Sequence, residues 1–251
     1  ALGELLIDFA AKETDSDGYP TMKANPGGAP GNFLAALNKY GAKTAFLGKV
    51  GDDAFGKLLL KTFEKAGIET KGIVTDPSVF TTLAFVTFSP EGDRSFSFAR
   101  KPGADTRLSF EEIDLTMIDE ASVFHFGTLS LTDDPVRTAT KKCVEYAKRQ
   151  GKLITFDPNL RPPLWKTLDE AKEQMEYGFE NCDVLKISDN EIQFVSGEED
   201  YDKGIKYLQE KYQIPLIFLT MGKEGSRAYY KNTSCRTAGI YRESNRDNRS
   251  R

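Results

Sequence analysis

Short apolar runs rich in β-branched and aromatic residues alternate along this chain with stretches whose apolar residues return every three or four positions. That alternation constrains the fold more than any other feature. Parallel strands need a crossover between them, and a helix is the usual one. The runs predict strands near residues 2–7, 44–50, 123–126, 153–156, 184–187 and 216–220. Residues 33–40 read as a helix. In residues 135–149, Val136, Ala139, Cys143 and Ala147 share one face, and residues 200–212 repeat the pattern with Ile205, Leu208 and Tyr212. The expected class is α/β with a mostly parallel sheet.

One region departs from the alternation. Residues 80–89, the turn Pro90-Glu-Gly-Asp93 and residues 94–98 read as two antiparallel strands with no crossover helix. With the polar segment 10–24 they are expected to form a small sheet projecting from the main body. No repeat or low-complexity linker divides the chain, so one domain over residues 1–234 is expected, with a tail of residues 235–251 that has little to bury.

At 251 residues, 39% hydrophobic and 29% charged, the chain can bury a substantial core. A net charge of -4 gives no broad basic field, which disfavours a nucleic-acid partner and favours a small molecule. No apolar run approaches the roughly 20 residues of a membrane span, and no basic segment precedes a signal-like one. The cytoplasm follows as the expected compartment. Cys143, Cys182 and Cys235 are odd in number and widely spaced, which supports neither a disulfide framework nor a zinc site. The single histidine, His125, lies in an apolar run and reads as a buried, hydrogen-bonded residue. The chain opens abruptly inside a core strand, so a few leading residues are expected to be missing.

The stretch Asn25-Pro-Gly-Gly-Ala-Pro-Gly-Asn32 runs into the 33–40 helix and then Gly48-Lys-Val-Gly-Asp-Asp53. Adjacent glycines let main-chain amides approach a ligand without a Cβ in the way, and the helix start aims further N–H groups at it. Asp8 closes the first strand, where open α/β sheets take ligands, and its carboxylate can accept two hydroxyls. Asp157, Asn159 and Arg161 cluster after another apolar strand in Phe156-Asp-Pro-Asn-Leu-Arg-Pro-Pro-Leu-Trp165, a loop stiffened by prolines.

In order and spacing these segments resemble the PfkB/ribokinase-like family of carbohydrate kinases, its fructokinase subgroup most closely. The resemblance implies a ribokinase-like three-layer sandwich with a mostly parallel central sheet. A small β lid, from about 10–24 and 80–104, would exclude water during transfer. It implies phosphorylation of a sugar hydroxyl by ATP with Mg2+, fructose to fructose 6-phosphate first, with 2-keto-3-deoxygluconate, ribose or a nucleoside as alternatives. Sugar contacts would come from Asp8, Gly27, Gly28, Asn32, Arg100 and Asn159, with Asn159 and Arg161 near the transferred phosphoryl group. Asp105 would order its loop, Asp157 would be structural and Trp165 would pack. Lys186-Ile-Ser-Asp-Asn-Glu191 stands where the family has Asn-x-x-Glu, with Ser188 in place of the asparagine. Glu191 would reach magnesium through water or serve the first turn of a helix capped by Ser188 or Asp189. Lys186, Ser188, Thr220, Gly222 and Gly225 would lie on the nucleotide side. The family also allows a homodimer through the lid.

The second family signature, near Asp-Thr-Thr-Gly-Ala-Gly-Asp, supplies an anion hole and the aspartate that takes the sugar proton. This sequence lacks it. From the second base of the Cys235 codon, with AGA for most arginines, another frame permits Val-Glu-x-x-Gly-Phe-Ile-Glu-Asn-x-Ile-Glu-Thr-Thr-Gly-Ala-Gly. Two readings of the tail stay open, a frameshift near residues 231–235 or a natural disordered tail, and either leaves an impaired kinase or a noncatalytic sugar-binding remnant.

Overall fold

The computed structural model describes residues 1–88, 94–231 and 233–239. The chain forms two compact units, Ala1–Cys182 and Asp183–Arg251. In the first unit Leu2 bridges in parallel to both Leu47 and Phe126, and the chain then continues as β1 (Leu6–Thr14). β1 folds back antiparallel on β2 (Pro20–Gly27), which places Asp8 opposite Asn25 and Leu6 opposite Gly27. The first strand expected at 2–7 is thus two things. Its start is held from both sides, and its end peels away into another sheet.

α1 (Ala29–Lys39) follows β2 directly. It begins four residues before the expected start because Pro30 fits a first turn whose N–H groups have no intrahelical acceptor. The run expected at 44–50 divides into β3 (Thr44–Ala45) and β4 (Gly48–Gly51), and α2 (Ala54–Lys65) crosses to β5 (Ile68–Glu69) and β6 (Ile73–Asp76). β3 pairs with β5 and β4 with β6, both in parallel. Asp53 starts α2, accepting from the N–H groups of Phe55 and Gly56 at 2.9 Å each and from that of Thr81 at 2.7 Å. Asp53 therefore serves the start of α2 and ties it to Thr81. Lys49, buried in β4, pairs with Glu112 at 2.5 Å and donates to the Arg107 carbonyl at 3.0 Å.

β7 (Leu83–Phe88) pairs in parallel with β1 and antiparallel with β8 (Arg94–Ala99). Together they complete a four-stranded sheet in the order β2-β1-β7-β8, built from the two segments expected to do so. The expected 90–93 turn lies outside the described residues. After the short α3 (Thr116–Asp119), β9 (Val123–Gly127), α4 (Val136–Arg149) and β10 (Leu153–Asp157) form a parallel βαβ unit, and α5 (Leu168–Asn181) follows.

Two apolar clusters hold this unit. Leu5, Ile7, Leu34, Phe46, Val50, Leu59 and Phe63 pack together, with Phe46 edge-on to Phe63 at 5.3 Å. Around β9 and β10, Phe156 lies 4.7 Å from Phe126 and 5.9 Å from Phe179, and a Cβ on Gly178 would enter the Phe156 ring. Full burial of each such side chain contributes about 1.5–3 kcal/mol. α4 turns Val136, Ala139, Cys143, Val144 and Ala147 inward, as its spacing predicts.

In the second unit β11 (Val184–Ser188) leads into α6 (Asp189–Ser196) and α7 (Tyr201–Tyr212), and β12 (Leu216–Thr220) pairs in parallel with β11. β13 (Ser226–Tyr230) and β14 (Thr233–Thr237) add on antiparallel. The tail boundary expected at residue 235 thus falls inside a strand, since main-chain pairing demands no particular side chains. Residues 240–251 lie outside the described residues. Among the described residues no helix is long and apolar enough to cross a membrane.

Candidate active site

The glycine-rich stretch is placed by β2 and α1 together. Gly27 ends β2 opposite Leu6, and a Cβ there would strike the Asp8 carboxylate. The missing side chain is what lets that carboxylate lie against the turn. Gly28 precedes α1 with φ 112°, a conformation open to glycine, and a Cβ on it would press into the Glu4 carbonyl oxygen. Asn32 sits one turn into α1, its N–H bonded to the Gly28 carbonyl at 3.1 Å and its side chain exposed.

Asp8 is half-buried near the start of β1 rather than at a strand's carboxyl end, because the strand runs on into the four-stranded sheet. Burial pushes its carboxyl upward, and the nearby Arg161 guanidinium pulls it back. Arg161 follows β10 with Asn159, which adopts φ 48°, an uncommon left-handed geometry for a residue with a side chain. The Arg161 guanidinium stands 5.9 Å from the Phe96 ring centre on β8, so strand and loop meet. The structure therefore brings together Asp8, Gly27 and Arg161, with Phe96 beside them. Trp165 is buried, in keeping with a packing role.

Arg100 corrects an expectation. Instead of reaching into the open toward a sugar, it is buried, and its three nitrogens are all engaged. Nε donates to Asp105 at 2.8 Å, Nη1 to Thr132 Oγ1 at 2.8 Å and Nη2 to the Leu129 carbonyl at 2.7 Å. Asp105 also accepts from the Thr82 hydroxyl, so it orders its loop as expected. A guanidinium taken out of water needs this full set of partners, and the loop after β8 supplies it.

In the second unit, Ser188 and Glu191 form a reciprocal cap at the start of α6. The Ser188 N–H and hydroxyl donate to Glu191 Oε2 at 2.8 and 2.7 Å, and Glu191 is buried. Ser188 thus serves the helix start. No group of three or more His, Cys, Asp or Glu side chains that could hold a metal occurs among the described residues. Among the described residues the donor set does not fit a metal centre built from three or more such side chains. Lys186 lies in the middle of β11, and Thr220 ends β12 with its hydroxyl 3.5 Å from the Ile187 carbonyl. Gly222 (φ 51°) and Gly225 (φ 95°) shape the turn into β13. A Cβ on Gly225 would collide with the main chain of residues 237–239.

Two residues escaped sequence reasoning. Phe96 belongs to an exposed-looking strand and gave no signal. Glu4 did: it is the lone acid in an apolar run, and it is buried, with Oε1 accepting the Ala29 N–H at 2.8 Å.

The model of the pfkB family carbohydrate kinases matches residues 1–247. A probable fructokinase-2 of Arabidopsis thaliana is 39% identical over 237 residues, covering 92% of this chain and 71% of the relative. A fructokinase of Xylella fastidiosa, solved with bound ATP, superposes with a TM-score of 0.85 at 30% identity, over 94% of this chain and 75% of that one. The fructokinase of Vibrio cholerae O395 in its fructose, ADP and calcium ion bound form gives 0.84 at 27% identity, over 96% and 76%. These neighbours share the ribokinase-like α/β fold expected from the sequence. The chain belongs to the pfkB family of carbohydrate kinases, in its fructokinase subgroup, and is a sugar kinase.

Proposed function

We propose that the complete enzyme transfers the γ-phosphoryl group of ATP to the primary hydroxyl of fructose, giving fructose 6-phosphate, and that this chain, lacking the anion hole and the aspartate that takes the sugar proton, turns over poorly. The observation that carries the reading is the Asp8 carboxylate laid against the Gly27–Gly28 turn with Arg161 at its side. A carboxylate accepts two hydroxyls, main-chain amides donate to others, and Asn32 and Asn159 add amide donors and acceptors. That is the chemistry of a polyol pocket. The fructose and ADP of the Vibrio cholerae enzyme and the ATP of the Xylella fastidiosa enzyme support the assignment of both substrates.

In this reading Arg161 offsets charge that develops on the transferred group, since a planar fork suits phosphate oxygens. Lys186, Ser188, Thr220, Gly222 and Gly225 are the nucleotide-side candidates. Mg2+ would arrive with the nucleotide's phosphates, Glu191 meeting it only through water, and no step is routed through the ion. The four-stranded sheet serves as the lid and as a dimer surface, in a cytoplasmic enzyme. The test is a panel of fructose, ribose, 2-keto-3-deoxygluconate and a nucleoside, each with ATP and the purified chain. Slow phosphate transfer to fructose above the others supports the reading, and rapid turnover would contradict the impairment. Preference for another acceptor redirects it, and fructose binding without transfer indicates a noncatalytic remnant.

A further inference from the structure

Glu4 stands in a segment whose neighbours Leu2, Leu5, Leu6 and Ile7 are all buried apolar residues, and it is itself only 3% exposed. Its side chain accepts the Ala29 N–H, and its main-chain carbonyl fills the space that a side chain on Gly28 would need. The charged groups that face it are Arg100 and Asp105, from the segment after β8. Arg100 is already committed to Asp105, Thr132 and the Leu129 carbonyl, so it offers only partial compensation.

We propose that Glu4 is a positioning residue for the sugar site: its carboxylate fixes the Gly28–Ala29 turn so that the amides of the glycine-rich stretch face the ligand, and sugar affinity rises as Glu4 ionises. The proposal rests on the reading of Gly27, Gly28 and Asn32 as sugar contacts. Burial raises the Glu4 carboxyl to about 7, against the opposing pull of Ala29 and Arg100. A folded-state value raised in this way means that the group's stability contribution is full below the ordinary carboxylate range and is lost as pH rises through about 7. The ionised form therefore costs stability at the pH where it binds the turn best. A glutamine of the same shape would spare that cost, so stability alone does not account for an acid here.

Calorimetric titration of fructose into wild type, Glu4→Gln and Asn32→Ala across about pH 5.5–8.5 tests this. Wild-type Kd is expected to fall several-fold on going from the acid to the basic end. Burial also raises the Asp8 carboxyl, so the difference between wild type and Glu4→Gln is the readout. At the basic end Glu4→Gln should bind about 3–10-fold more weakly, having lost a charge-assisted hydrogen bond, with a weaker pH dependence and an unfolding midpoint equal to or above wild type. Wild-type binding combined with lower stability in Glu4→Gln would overturn the proposal, as would a pH profile parallel to wild type. Unchanged Kd in Asn32→Ala would instead overturn the sugar-site reading. Hydrogen exchange of the Ala29 amide then decides separately: Glu4→Gln speeds it if Glu4 holds the turn, and unchanged exchange removes Glu4 from the role.

Discussion

Asp8 stood out after an apolar run and Arg100 through the family resemblance, and the structure gives them opposite surroundings. Asp8 is half-buried beside one cation and a glycine turn, with part of its carboxylate open to a ligand. Asp8→Asn should therefore weaken fructose binding by about tenfold or more, since hydrogen bonds to a charged group contribute about 1.5–3 kcal/mol, while the melting temperature stays near wild type. Calorimetry paired with a thermal melt reads both. Arg100 is closed inside protein, and Arg100→Ala leaves Asp105 without its cation. That change should cost about 3–5 kcal/mol in denaturant unfolding, with any loss of fructose affinity smaller than that of Asp8→Asn. The sequence pointed to both residues but could not separate them. Arg100's partners stand 5, 29 and 32 positions away, and only tertiary packing reveals them.

Among the elements, legibility followed burial. β12 was legible to the residue because Ile217 and Leu219 alternate inward between turn-forming neighbours. α4 was legible through its inward face. β2 was not delimited within the 10–24 segment expected in the small sheet, because most of its residues are exposed or half-buried and its order comes from main-chain pairing with β1. The same pairing hid the true extent of β1. The start of α1 depends on Gly28 at φ 112°, so Gly28→Ala should cost about 2 kcal/mol from backbone strain and distort the turn, measured by denaturant midpoint. The start of α2 depends on Asp53. Burial alone would raise its carboxyl, but hydrogen bonds from Thr81, Gly56 and Phe55 win and hold it below the usual carboxylate value. A lowered value contributes stability above the ordinary carboxylate range and loses it as pH falls through the folded-state value. Asp53→Ala should accordingly destabilise by about 1–2 kcal/mol at neutral pH, and the gap to wild type should narrow in acid melts.

For the whole molecule, the α/β class and the family were carried by order and spacing along the chain, which survive even where individual roles do not. The segments 10–24 and 80–98 were grouped correctly into one sheet because two strands without a crossover helix must lie apart from a parallel βαβ series. Glu191 shows the limit: the same Ser-x-x-Glu spacing serves a helix cap and a metal contact, and the cap is what the geometry displays. In the proposed function fructose is gripped where Asp8 meets the Gly27–Gly28 turn. A crystal structure of the chain with fructose measures this directly. Sugar oxygens within hydrogen-bond distance of the Asp8 carboxylate and the glycine amides, with Asn32 in contact, are the predicted result. Fructose seated elsewhere, with the Asp8 carboxylate facing only solvent, would contradict it.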